Sequence, residues 1–231
     1  MNARIVALTQ PIISNDGNVG TDAPLMTVDE FVAYVARVSN PENQTNTLTA
    51  AKLLKYLAKH KHWSPFEMVH IVMEINTTRD IARQILRHRS FTFQEFSQRY
   101  ADATRSLGFS HREARLQDTK NRQNSVELTD NDKMIAQRWN QEQTFVIEYI
   151  KRSYDWAINN GIAKEQARVV LPEGLTNSRM YMTGSLRSWI HYCQLRASNG
   201  TQKEHREIAI DCWYQLMKHF SCLEDIGLIS E

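Results

Sequence analysis

Glycine and proline are scarce in this 231-residue chain, eight and five respectively, which excludes a collagen-like, linker-dominated or low-complexity protein. Charge imbalance is nearly absent as well. Twenty-eight Lys+Arg stand against 26 Asp+Glu, a net of +2, so bulk charge implies neither a nucleic-acid nor a membrane partner. The three cysteines, Cys193, Cys212 and Cys222, form no CxxC pair and no zinc spacing. Each falls in a helical pattern, where a thiol behaves as a small buried hydrophobe; a disulfide framework is not expected, and a reducing compartment is. No apolar run approaches the ~18 residues of a membrane helix, and MNARIVALTQP has too short an apolar stretch for a signal peptide. A cytoplasmic protein is the expectation. The usual nucleotide and catalytic fingerprints are also missing: GxGxxG, GxxxxGK[ST], GxSxG and HExxH do not occur. Any phosphate must therefore be held by side chains, which points to the planar fork of arginine.

What is present is ordinary globular material, 42% hydrophobic and 23% charged, enough to bury a sizeable core. Residues 4–8 read as a strand. Thr27 and Glu30 form a capping box for a helix with Phe31, Val32, Val35 and Val38 on its apolar stripe, ending near Pro41. A second helix is predicted over 48–59 with Leu48, Leu53, Leu54 and Leu57. The two-residue alternation of Val69, Ile71, Met73 and Ile75 predicts a strand within 66–76. Helical spacing returns over 78–88. Residues 101–130 are polar and read as long loops or an insertion. Helices are predicted over 132–160, 177–197 and 202–222. The aromatic series from Trp139 to Trp156 reads as core or subunit interface. These elements predict one α+β domain over residues 1–231, helix-rich with few strands.

Arginine is concentrated between residues 79 and 99. Arg79, Arg83 and Arg87 are four apart and would share a helix face, the pattern of a solvated basic surface. The neighbouring segment, Arg87-His88-Arg89 followed by Ser90-Phe91-Thr92-Phe93-Gln94-Glu95-Phe96-Ser97-Gln98-Arg99-Tyr100, interleaves rings, charges and hydroxyls without a clean period. Irregular backbone of that composition suits a ligand loop.

Arg-His-Arg, seven residues, then Ser97 within Glu95-Phe96-Ser97-Gln98-Arg99-Tyr100 resembles the signature of the flavin-dependent thymidylate synthases. Other blocks follow in order: Ala36-Arg37-Val38-Ser39, His62-Trp63-Ser64-Pro65-Phe66-Glu67, Gln84-Ile85-Leu86, Ala167-Arg168-Val169-Val170-Leu171-Pro172, and Arg187-Ser188 with His191, Arg196-Ala197 and Gln202. The family often has Asn two residues before the arginine matching Arg187; here it is Ser185, which still offers a hydroxyl.

The resemblance implies an α+β fold with a small antiparallel sheet, assembled as a homotetramer with shared active sites. It implies reductive methylation of dUMP to dTMP, with methylenetetrahydrofolate as carbon donor and NADPH reducing equivalents passed through FAD. By carry-over, Ser64, Glu67, Arg87, His88, Arg89, Glu95, Ser185, Arg187 and His191 would surround FAD. Gln84, Arg87, Glu95, Phe96, Ser97, Gln98, Arg99, Arg168 and Arg196 would hold dUMP, with Arg99 and Arg168 as the phosphate clamp. Arg196 would be the catalytic cation at the uracil N3/O4 edge, stabilising an enolate-like form electrostatically. Ser97 has no base beside it in sequence and reads as a phosphate-binding or structural residue rather than a nucleophile. His60 and His62 have no carboxylate cluster and suggest no metal; His62 is an active-site residue gating folate or a packing residue. Two other classes fit parts of the pattern: a nucleic-acid-binding module built on the Arg/aromatic stretch, and a flavin reductase without methyl transfer.

Overall fold

The computed structural model describes residues 1–228. The central sheet is antiparallel throughout, in the order β1-β2-β6-β3, formed by Asn2–Leu8 (β1), His70–Thr78 (β2), Asn177–Ser185 (β6) and Thr92–Glu95 (β3). The alternation read in the sequence places Ile71, Met73 and Ile75 of β2 on a fully buried face. Helices α1 (Val28–Ala36), α2 (Ala50–Lys59), α7 (Leu186–Arg196) and α8 (Lys203–Met217) cover it. The capping box forms as expected: the Thr27 hydroxyl accepts from the Glu30 backbone, and the Glu30 carboxylate accepts from Thr27 at 2.7 Å. Val38 and Leu48 do not join their stripes; they lie outside α1 and α2 and are exposed. All three cysteines are buried free thiols, and burial pushes each above its ordinary range. No helix among the described residues is long and apolar enough to cross a membrane.

Two expectations are corrected, and a third, left between two readings, is narrowed. Residues 177–197 are not one helix, because Asn177–Ser185 pairs along its whole length with β2, from Thr78↔Asn177 to His70↔Ser185. Its sequence, NSRMYMTGS, is poor in β-branched residues, and the strand is set by its central place between β2 and β3 rather than by propensity. Residues 78–88 form a shorter helix, α3 (Arg79–Ile85), so Arg87 leaves the face shared by Arg79 and Arg83. The aromatic series on α5 (Lys133–Asn159) is not core within the chain: Tyr154 is buried, but Trp139, Phe145, Tyr149 and Trp156 are exposed.

The polar segment 101–130 contains one helical turn, α4 (Ala103–Ser106), and a hairpin of β4 (Arg115–Gln117) with β5 (Ser125–Glu127). That hairpin is pinned to the start of α8 by Arg115–Glu204 at 2.7 Å and Lys203–Glu127 at 2.7 Å. A short helix, α6 (Lys164–Ala167), packs beside α5, and α9 (Cys222–Ile226) closes the C-terminal side. The 202–222 pattern is thereby split, with α8 ending at Met217.

Gly184 of β6 faces Phe91, which opens the loop leading to β3. A Cβ there would stand 2.5 Å from Phe91 Cδ1 and 2.7 Å from Cε1. Gly184→Ala should therefore cost about 1–3 kcal/mol through overpacking and displace the loop that carries the arginine signature. Chemical denaturation measures this; an unchanged midpoint would show that the ring yields freely.

Candidate active site

The sheet and α7 bring the dispersed residues together in three groups. In the first, Ser185 ends β6 and caps α7, its hydroxyl accepting from Ser188 N at 3.2 Å. Arg187, in the first turn of α7, donates to Glu67 Oε1 at 2.6 Å from across the 3₁₀ turn Ser64–Met68. Burial works against ionisation of Glu67, but hydrogen bonds from Ser185 and Arg187 outweigh it and hold the carboxyl below its ordinary range. One helical turn on, His191 packs edge-on against Trp63 at 4.8 Å; burial and then Arg187 lower its pKa. Ser64, Glu67, Ser185, Arg187 and His191 thus form one partly exposed face.

The second group lies at the other end of α7. Arg196 donates from Nε to His88 Nε2 at 2.8 Å. Burial, then the charges of Arg196 and Arg87, push His88 down to about 4. His88 is therefore a neutral acceptor near pH 7 that aims the Arg196 guanidinium, with its ring edge-on to Tyr192 at 4.9 Å. Tyr192 in turn touches His205, and His205 touches Gln84. Beside this group Arg87 and Arg89 are exposed and make no ion pair among the described residues.

The third group is built on the signature loop. Glu95, at the end of β3, is held by Arg83 at 2.8 Å, by Arg79 at 3.5 Å and by the Ser178 hydroxyl at 2.7 Å. Arg79 and Arg83, read from the sequence as a basic face, thus serve to anchor the loop. The Arg99 backbone N–H donates to Ser97 Oγ at 3.4 Å. Arg99 and Arg168 meet at one residue: Arg99 pairs with the Glu165 carboxylate at 3.3 Å, and Arg168 Nε donates to the Glu165 carbonyl at 3.2 Å. The Arg99–Glu165 pair is solvent-exposed on both sides, a class of contact worth little and easily exchanged for a phosphate. Gln98 is 5% exposed, and its side-chain Nε2 has no hydrogen-bond partner among the described residues. A buried unsatisfied donor carries a real cost, and a ligand acceptor would remove it. Phe96 anchors the loop against a second apolar cluster containing Ala103, Ile150 and Tyr154.

These arrangements can receive an anionic ligand, since Arg87 and Arg89 make no ion pair and the Gln98 donor no hydrogen bond among the described residues. The residues that sequence reasoning missed are the supporting ones: Arg79, Arg83, Glu165, Tyr192, His205 and Glu204. They lie far in sequence from what they support, and no local pattern marks them.

Comparison with known proteins identifies the family. The family model described as thymidylate synthase complementing protein matches residues 25–220. A flavin-dependent thymidylate synthase of Synechocystis is 49% identical over 220 residues, covering 95% of this chain and 96% of that protein. A probable flavin-dependent thymidylate synthase of Paramecium bursaria Chlorella virus 1 is 45% identical, covering 95% of each. Among solved structures, a UMP/dUMP methylase of Streptomyces cacaoi has the same fold, with a TM-score of 0.73 at 24% identity over 99% of this chain and 96% of its own. With its signature residues gathered on one sheet-and-helix frame and relatives matched over nearly their whole length, the chain belongs to the flavin-dependent thymidylate synthase family.

Proposed function

We propose that the protein catalyses the reductive methylation of dUMP to dTMP, with methylenetetrahydrofolate as carbon donor and NADPH as reductant. The observation that carries this reading is the signature loop, where, among the described residues, exposed Arg87 and Arg89 have no ion-pair partner and the buried Gln98 side-chain N–H has no acceptor. FAD, when bound, supplies the reducing equivalents drawn from NADPH. Arg87, Arg89 and Arg187 would offset its pyrophosphate charge, while Ser64, Glu67, Ser185 and His191 from one group, with His88 and Glu95 from the other two, would hold it between chains. Arg99 and Arg168, with Ser97 and Gln98, hold the dUMP phosphate. Arg196, aimed by neutral His88, sits at the uracil edge and stabilises charge there as C5 becomes nucleophilic. Gln84 and Phe96 complete the nucleotide side.

A nucleic-acid module is disfavoured because Arg79 and Arg83, two of the cations that would make its basic face, are tied to Glu95 instead. A reductase without methyl transfer leaves Gln98, Arg99 and Arg168 without a task. Purified protein should absorb as a flavoprotein and form dTMP from dUMP when NADPH and methylenetetrahydrofolate are supplied. Colourless protein, or NADPH oxidation without dTMP, would defeat this reading.

The same reading makes residues 1–231 one catalytic unit, cytoplasmic, working as a homotetramer with sites shared between chains. Support comes from an apolar cleft of about 630 Å³ lined by Tyr149, Trp156, Ile162, Val169 and Val170, next to Arg168. Exposed apolar surface of this kind marks an interface. Sedimentation should give a tetramer under assay conditions, and a fully active monomer would refute shared sites.

A further inference from the structure

Behind the nucleotide side runs a line of polar groups that joins two residues of the family blocks, Gln84 and Gln202, to three outside them, Tyr192, His205 and Glu204. The Tyr192 hydroxyl meets His205 Nε2 at 3.1 Å, and His205 Nδ1 meets Gln84 Oε1 at 3.3 Å. Gln84 Nε2 donates to Gln202 Oε1 at 2.8 Å, and Gln202 Nε2 donates to Glu204 Oε2 at 2.9 Å. The line ends on a carboxylate, which two arginines hold: Arg115 at 2.7 Å and Arg112 at 3.1 Å. His205 and Glu204 are buried, and Gln84 and Gln202 are half-buried.

The anion at one end dictates every donor along the line. A carboxylate only accepts, so Gln202 must turn its N–H toward Glu204 and its carbonyl toward Gln84. Gln84 must then give an N–H to Gln202 and leave its oxygen for His205. His205 consequently carries its proton on Nδ1 and accepts from Tyr192 through Nε2. A neutral ring is required for this. Burial, then Arg196 and His88, push His205 down to about 3 and keep it neutral. Burial opposes ionisation of Glu204 too, but its own backbone N–H, Arg112, Gln202 and Arg115 outweigh it. Turning the Gln84 amide over would set its oxygen against the Gln202 oxygen, and His205 could accept the turned N–H only by moving its proton to Nε2.

A glutamine amide has two N–H groups and two lone pairs, and each partner here uses one. One donor and one acceptor remain, in an order that cannot be reversed. The N3–H/O4 edge of uracil presents a donor beside an acceptor, whereas the N3/N4 edge of cytosine presents the reverse. His205 lies 6.2 Å, ring centre to ring centre, from His88, the residue that aims Arg196, so two histidines connect Gln84 to the group assigned to the pyrimidine edge. We propose that Glu204, acting through Gln202 and together with His205, locks the sense of the Gln84 amide so that it reads uracil and rejects cytosine. Glu204, Gln202 and His205 are positioning residues, and Gln84 determines specificity. This rests on the assignment of Gln84 to the nucleotide made under the proposed function.

The test is the ratio of dissociation constants for dUMP and dCMP on flavin-loaded protein. The unaltered protein should favour dUMP. Glu204→Gln lets Gln202 point either way, and Gln202→Met cannot accept from Gln84; each should narrow the preference roughly 10- to 100-fold, the scale of one well-placed bidentate base contact. His205→Asn, which keeps a donor where Nδ1 stood, should preserve the preference that His205→Leu loses. A destabilised His205→Leu leaves the two half-exposed or isosteric changes, Gln202→Met and Glu204→Gln, to decide. An unchanged ratio in both overturns the proposal. Gln84→Leu separates the two layers: unaltered dUMP binding there removes Gln84 from the nucleotide site altogether. Weakened binding there, with the ratio intact in Glu204→Gln and Gln202→Met, removes only the locking.

Discussion

Arg196→Ala should fold, assemble and stay yellow, yet form dTMP roughly 100- to 1,000-fold more slowly, the usual loss on removing one preorganised charge-stabilising donor. Arg196 is the last residue of α7 and only partly buried, so its structural contribution is small. A cation at a helix C-terminus is worth about 0.3–1 kcal/mol. Its Nε is spent on His88 at 2.8 Å, which fixes the plane of the guanidinium and leaves its Nη groups for a ligand. His88 can do this because it is neutral: pushed down to about 4, it retains the Nε2 lone pair throughout the physiological range. Flavin reduction by NADPH should persist in the variant, since that half-reaction needs no activated uracil. Single-turnover measurement of dTMP per bound flavin checks the assignment. Lost flavin with normal methylation per remaining flavin would make Arg196 a cofactor ligand instead.

Trp189→Ala should lower stability by about 3–5 kcal/mol, the range for deleting a large buried aromatic. Trp189 is fully buried in α7. Its indole N–H donates to Ile71 O of β2 at 3.2 Å, and its ring meets Phe91 edge-on at 4.8 Å and Tyr192 at 5.8 Å. The residue therefore joins sheet, helix and signature loop at one point. For a domain of this size the loss corresponds to a melting shift on the order of 10 °C. Nucleotide binding should weaken along with it, because Phe91 loses the wall that sets the course of residues 87–100. Trp189→Phe, which keeps a six-membered ring but loses the N–H and the volume of the second ring, should recover part of the melting temperature. A shift of a few degrees for Trp189→Ala would show that the cluster collapses around the gap.

Much of the local architecture was legible because it is written in short-range pattern. The capping box at Thr27, the alternation of β2 and the long helix α5 each rest on residues within a turn or a strand of one another. The ligand loop was legible by default, as a segment of rings and donors with no period. Asn177–Ser185 was not legible. Its side chains suit a helix as well as a strand, and only backbone pairing on both edges decides between them. The exposed aromatics of α5 were ambiguous for a related reason, since apolar spacing does not say whether the chain itself or another copy covers that face.

The sequence by itself determined the chemistry available at the site: arginines in place of glycine-rich phosphate loops, a dispersed set of donors, no cysteine chemistry, and the family to which that order of blocks belongs. Those are properties of residue type and spacing, and they survive any misreading of a strand. Which groups are free to meet a ligand was decided only by the tertiary structure. Arg79, Arg83 and Arg87 look equivalent in the chain, yet two are tied to Glu95 across the loop and the third has no ion-pair partner among the described residues. His88 and His205 are ordinary histidines until burial and the nearby Arg196 charge keep them neutral. Charge pairing and desolvation act through space, over contacts as far apart as Gln84 and His205, and no local pattern encodes them.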